Sequence, residues 1–132
     1  MTGLTRKQAL ALTRWTAETL RNRVKSGKLH PEKVGHLYLY DPVELYKVSD
    51  DAREALDELI RMAPRTESGQ HWTEAYRRWR DLEDAGLIEV HRPVHPQTGI
   101  RYGQEFWHYR FTETGEEIAS QLLELIEDGY FL

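Results

Sequence analysis

The stretch Thr5–Leu45, TRKQALALTRWTAETLRNRVKSGKLHPEKVGHLYLYDPVEL, decides the fold. It reads as helix, tight turn, helix, short β-hairpin and helix start. Thr5 is a good N-cap, so a first helix is expected from Thr5 to about Leu12. Thr16 caps a second helix, Thr16 to Ser26, and Gly27 ends it where a left-handed residue is favoured. In the second helix Leu20 and Val24 stand four apart and form the inward stripe, while Arg21, Asn22 and Lys25 project from a different face. A helix patterned this way can enter a major groove while staying attached to its own core. Leu29 to Tyr40 reads as a hairpin, with Leu37 and Leu39 on one face and His36, Tyr38 and Tyr40 on the other. Asp41–Pro42–Val43–Glu44 then starts a short third helix to about Val48: an Asp cap, Pro in the first turn and Glu three residues on.

These residues and their order resemble the excisionase/MerR-type winged helix-turn-helix family. The parts that carry the resemblance are Ala9–Leu12 in an Ala-rich first helix, the Thr16 cap, Thr19–Lys25 as recognition helix, Gly27–Lys28–Leu29 as its exit, Val34–Gly35 as the wing and Asp41–Pro42 at the closing helix. The resemblance covers about a third of the chain and implies a double-stranded DNA partner. Arg21, Asn22 and Lys25 are then expected to touch DNA from the recognition helix, next to its cap Thr16. Arg14 and Lys28 are expected at phosphates, and Lys33, His36 and Tyr38 at the neighbouring backbone or minor groove. The family's turn often carries Gly and a small aliphatic residue where this chain has Arg14 and Trp15. An Arg14 at positive φ would be strained.

Charge divides the chain. Its 132 residues carry a net charge of −4. Residues 1–48 hold nine Lys/Arg against four Asp/Glu, hence +5; residues 49–132 hold nine Arg, no Lys and eighteen Asp/Glu, hence −9. Phosphate binding depends on local positive charge, so the first segment is the DNA-facing one, a plain solvated basic surface being the alternative. With no cysteine, disulfides, thiolate zinc sites and cysteine catalysis are excluded together. No apolar run reaches membrane-spanning length and no signal-peptide pattern opens the chain, so a cytoplasmic protein without membrane contact is expected.

Beyond Val48 the patterning continues. Ser49–Asp50–Asp51 marks a boundary or a fresh helix start, and Ala52, Ala55, Leu56, Leu59, Ile60 and Ala63 form an unbroken helical stripe up to Pro64. A further helix is expected over about Thr73–Ala85, with Ala75, Tyr76, Trp79 and Leu82 inward and Gly86 at its end. Leu87–Arg92 reads as a strand, Pro93–Gly103 as a turn-rich excursion and Glu105–Phe111 as the returning strand. Thr112 caps a last helix to about Asp128, with the stripe Ile118, Ala119, Leu122, Leu123 and Ile126. Leu82–Ile88 and Tyr109–Gly115 resemble the wing entry and exit of the MarR/PadR-type winged-helix regulators, whose C-terminal helix often dimerises. The fold expected is therefore mainly α with small β-hairpin wings (α+β), as tandem winged helix-turn-helix modules: residues 1–48, and an acidic 49–132 for dimerisation or partner binding.

No catalytic constellation emerges. The one pair of histidines four apart, His91 and His95, falls in a Pro-containing wing and not on a helix, so no helical i, i+4 zinc pair is present, and there is no HExxH motif. His91 and His95 flank a Pro in the second wing, where a phosphate contact or a plain surface role is expected. Asp50–Asp51, Glu83–Asp84, Glu116–Glu117 and Glu127–Asp128 sit at helix starts or on exposed faces with no nucleophile or base beside them. No phosphate-binding Gly loop is present, and no metal or cofactor is expected. Trp15 and Trp79 fall at core positions; Tyr38 and Tyr40 are better candidates for exposed contacts. Arg77 and Arg78, with Arg101 in the second wing, form a possible second DNA or partner site. A salt-bridged, protein-facing helix is the plainer reading of Arg77, Arg78 and Arg80, given Glu74, Asp81, Glu83 and Asp84 beside them. The expected function is a sequence-specific DNA-binding transcriptional regulator. The alternative is a phage or plasmid protein: an excisionase, a small-terminase-like packaging factor, or an adaptor that binds a host protein through its acidic half. Partners are thus double-stranded DNA and, through residues 49–132, a second copy or another protein.

Overall fold

Thr5 caps the first helix reciprocally. Its side chain accepts from the Gln8 N–H at 3.3 Å, and the Gln8 side chain accepts from the Thr5 N–H at 2.9 Å. The computed structural model describes residues 3–62, 78–103 and 107–129. Helix α1 runs Arg6–Thr13 and α2 runs Ala17–Lys25, with Thr16 accepting from the Thr19 N–H as N-cap. Arg14 closes α1 in the left-handed region at φ 59°, the one non-glycine among the described residues with positive φ. The tight turn between α1 and α2 therefore carries the strain expected of a side chain in that region.

Strands β1 (Glu32–Val34) and β2 (Leu37–Leu39) pair antiparallel, with Lys33 opposite Tyr38 and Val34 opposite Leu37. The hairpin is tied to the chain start by two backbone hydrogen bonds between Leu4 and Tyr40, 2.8 and 2.7 Å. Helix α3 (Pro42–Val48) has Asp41 as cap, its side chain accepting from the Val43 N–H at 2.9 Å. Glu44 does not reach back to that cap. It accepts instead from the His30 N–H at 3.0 Å and pairs with the His30 ring at 2.7 Å, pinning the α2 exit to α3.

Ser49 starts a fresh helix. Its hydroxyl accepts from the Ala52 N–H, and α4 runs Asp50–Met62 with Ala52, Ala55, Leu56 and Leu59 fully buried. Helix α5 covers Trp79–Asp84; β3 (Ile88–His91) and β4 (His108–Phe111) pair with Ile88 opposite Phe111; α6 runs Glu113–Glu127 under a Thr112 cap. The expected residues Ala63, Pro64, Thr73, Ala75, Tyr76 and Arg77, and the strand start at Glu105, lie outside the described residues. Among the described residues the molecule is mainly helical with two small antiparallel hairpins, and no helix is long and apolar enough to cross a membrane.

One buried cluster takes Leu4, Leu12, Leu20 and Leu45 from the first segment and Leu56, Leu82, Leu87, Ile118 and Leu122 from the second. Helix α1 packs on both α4 and α5, and α4 packs on α6. Polar ties follow the same seam: the Gln8 side chain donates to the Ala85 carbonyl at 2.7 Å, and Arg14 pairs with Asp81 at 3.0 Å. With its back against α4 and α5, α1 leaves α2 and the β1–β2 hairpin on the outer side of the first segment.

Candidate nucleic-acid interface

The core fixes the rotation of α2. Leu20 is buried and Val24 half-buried, which turns Arg21, Asn22 and Lys25 to the exterior, as their spacing demands. Lys28 follows, also exposed. On the hairpin Lys33, His36 and Tyr38 are exposed, and the Lys33 ammonium lies 6.0 Å from the Tyr38 ring centre, at the edge of cation–π range. Tyr40, expected to be exposed, is buried instead, because it is the Leu4 partner that closes the hairpin. The Leu37–Leu39 face of the hairpin is covered only at its Leu39 end, which lies against Gly3. Val34 and Leu37 are 50% and 60% exposed, so the expected inward Leu37 faces solvent. A two-stranded hairpin with this little cover depends on its turn and on the Leu4–Tyr40 tie for its shape.

Between α2 and this hairpin lies a cleft of about 280 Å³. Ala17, Leu20, Val24 and Pro31 give it apolar walls; Arg6, Arg21, Tyr38 and Tyr40 supply its polar groups. Burial pushes the Tyr40 phenol above its usual ionisation range, against the lowering pull of the nearby Arg6 charge. Arg6 escaped the sequence reading. It belongs to α1, and only the Leu4–Tyr40 bridge brings the start of α1 beside the hairpin.

Arg6, Lys7, Arg21, Lys25, Lys28 and Lys33 make no salt bridge to any described residue. Arg23 lies 5.4 Å from the Trp15 ring centre. In the second segment Arg78, Arg92 and Arg110 are each held by carboxylates. Arg78 is 3% exposed, so its expected role as a surface contact gives way to a structural one. Its guanidinium binds Asp51 at 2.8 Å and Asp81, and donates to the Leu12 carbonyl at 3.4 Å. Burial disfavours its charge, and the bonds to Asp81 and Asp51 more than restore it, so its pKa is raised. Arg92 forks onto Glu83 at 3.0 and 2.8 Å and lies 4.8 Å from the Trp107 ring centre and 5.3 Å from that of Trp79. The expected salt-bridged helix is thus found at Arg78, whereas Arg80 is exposed, 5.4 Å from the Trp79 ring centre, with no salt bridge to a described residue.

Of the remaining expected contacts, Thr16 is occupied as a cap and Arg14 is half-exposed but paired with Asp81. Arg77 lies outside the described residues. Arg101 is exposed on the second hairpin between Ile100 and Tyr102, which are 68% and 40% exposed. His95 is not a free tip residue: its ring Nδ1 accepts from the N–H groups of Gln97 and Thr98 and shapes the turn. A larger hollow of about 410 Å³ lies against β3 and β4, but Glu89 and Arg110 in its lining neutralise each other. No group of three or more His, Asp or Glu side chains among the described residues is placed to hold a metal ion. Comparison with protein-family models, curated proteins and solved structures finds no match for the chain.

Proposed function

We propose that this chain is a sequence-specific double-stranded DNA-binding protein of two winged helix-turn-helix modules that serves as a transcriptional regulator. In this reading α2 enters the major groove, presenting Asn22, Lys25 and Arg21, while Lys28, Lys33, His36 and Tyr38 meet the flanking backbone and minor groove. The observation that carries it is the concentration of unpaired cations on and beside α2 and the first hairpin, in a protein whose net charge is −4. In the first segment seven cations, Arg6, Lys7, Arg21, Arg23, Lys25, Lys28 and Lys33, make no salt bridge to a described residue and stand among only four carboxylates; in the second Arg78, Arg92 and Arg110 are paired, and Arg53, Arg61, Arg80 and Arg101 are surrounded by an excess of acidic residues. Keeping that many like charges together opposes folding through self-repulsion, and a polyanion relieves it by replacing condensed counterions.

The acidic second segment stays off the duplex and supplies the contact to a second copy or to another protein. Excision and packaging factors use the same kind of DNA contact, so the reading of the interface is common to all three roles. The experiment is duplex binding by the full chain. Sequences selected from a random pool should share a motif, and the exposed pair Asn22→Ala, Lys25→Ala should abolish the preference for it. Selection that enriches no motif would contradict sequence-specific binding.

A further inference from the structure

The cleft between α2 and the first hairpin combines features that the reading of α2 does not itself require. Its walls are apolar, two guanidiniums stand in its lining, and neither makes a salt bridge to a described residue. Arg6 comes from α1, outside the recognition helix, and reaches the cleft because Leu4 bridges Tyr40. At about 280 Å³ the space has room for a group several times the ~30 Å³ share of one water molecule.

We infer that this cleft seats one sugar–phosphate unit of the duplex, with the deoxyribose against the apolar wall and the phosphate clamped by Arg6 and Arg21. The inference rests on the DNA-binding reading above and assigns Arg21 to the backbone instead of to a base. Geometry requires such a seat. If α2 lies in the major groove and the hairpin approaches the adjacent minor groove, the strand separating those grooves passes between them. A deoxyribose offers mainly C–H surface to Leu20 and Val24, and a phosphodiester oxygen pair matches the planar fork of a guanidinium. The Tyr38 phenol on the hairpin side adds a hydroxyl of the kind that commonly binds phosphate oxygens. A guanidinium can also fork onto a guanine edge, so the salt slope and the base preference of Arg21→Ala distinguish the two contacts. The hollow beside β3 and β4 provides the contrast. It is larger, but its Arg110 is already paired with Glu89, and an anion there would have to displace a carboxylate.

The test uses the full chain and a duplex carrying its selected motif, with neutral methylphosphonate placed at one phosphate at a time. In the parent, one position on a strand should weaken binding roughly tenfold, the effect of losing one charge-assisted contact. In Arg6→Ala and Arg21→Ala, binding should be weaker overall, the salt slope shallower by about one charge each, and that same substitution should cost little more. Asn22→Ala should remain sensitive at that phosphate. All these residues are exposed, so the variants should fold. Relaxed base preference in Arg21→Ala with an unchanged salt slope would overturn the clamp, as would parent-like binding by Arg6→Ala, while leaving the DNA reading intact. A parent chain with no salt-dependent duplex binding at all would overturn both.

Discussion

Arg78 illustrates how one residue type carries opposite roles in one chain. Asp51 lies 27 positions before it in sequence, and the Leu12 carbonyl 66 positions before it, so no local pattern could join them. What the sequence did hold was Asp81 three residues on, the i, i+3 spacing that favours an ion pair over an outward contact. Replacing Arg78 by Met would leave Asp51 and Asp81 facing one another without their cation. Breaking a buried pair costs about 3–5 kcal/mol, and the partial exposure of Asp51 lowers that to about 2–3 kcal/mol. Urea unfolding checks this; a DNA contact at Arg78 would instead show lost affinity at unchanged stability.

Tyr46 is the residue whose titration bears on stability. It is buried at the α3–α4 junction and donates to the Asp57 carboxylate. Burial, then the bond to Asp57, pushes its ionisation from 10.0 up to about 12. Folding thus favours the neutral phenol. The stability it contributes is fully present below pH 10 and is lost as pH rises towards 12. Tyr46→Phe should cost about 1 kcal/mol at neutral pH through the lost hydrogen bond. Its deficit against the parent should narrow between pH 10 and 12. A deficit that stays constant over that range in denaturant titrations would contradict the shift.

At the scale of elements, helix ends were legible and strand faces were not. Thr5, Thr16, Asp41 and Thr112 cap α1, α2, α3 and α6 because a short polar side chain before an apolar stripe has a local partner three residues away at most. Arg14 at positive φ was equally local. Leu37 and Tyr40 were misread because alternation gives two faces but not which one is covered, and in so small a hairpin the cover depends on Leu4 from elsewhere in the chain. Gly115 marks another contact that sequence could not give. A Cβ built there would meet the Leu87 carbonyl oxygen at 1.8 Å, so the α6 N-terminus packs directly on the chain entering β3. Ala is favoured over Gly inside a helix by about 1 kcal/mol. Overlap with rigid backbone costs about 1–3 kcal/mol or more and should outweigh it. Gly115→Ala should therefore lower stability; a gain in midpoint denaturant concentration would show that α6 and Leu87 are not so close.

At the scale of the whole molecule, the charge split is the property that sequence conveyed most directly and that the fold explains. Residues 1–48 carry +5 and residues 49–132 carry −9, yet Leu12 and Leu82 share a core and Arg14 pairs with Asp81 across the seam. The basic exterior and acidic partner are thus held by common packing, with α1 between them. That packing depends on contacts far apart in sequence, which is why a list of elements could give their order but not the joint use of α1, nor the placement of Arg6 beside the hairpin. If α2 docks on a duplex as proposed, the acidic segment must stay clear of phosphate, and its field would orient the approach.

Whether α2 and the first hairpin form a phosphate-facing surface is decided by equilibrium binding of the full chain to its selected duplex across a salt series. Log affinity should fall linearly with log salt. A slope between about −4 and −6 is expected if most of the seven cations of the first segment without a salt bridge to a described residue meet phosphates at about −0.9 each. The double variant Lys28→Ala, Lys33→Ala should make that slope shallower by about two charges. Binding that is absent, or that does not change with salt, would contradict the account.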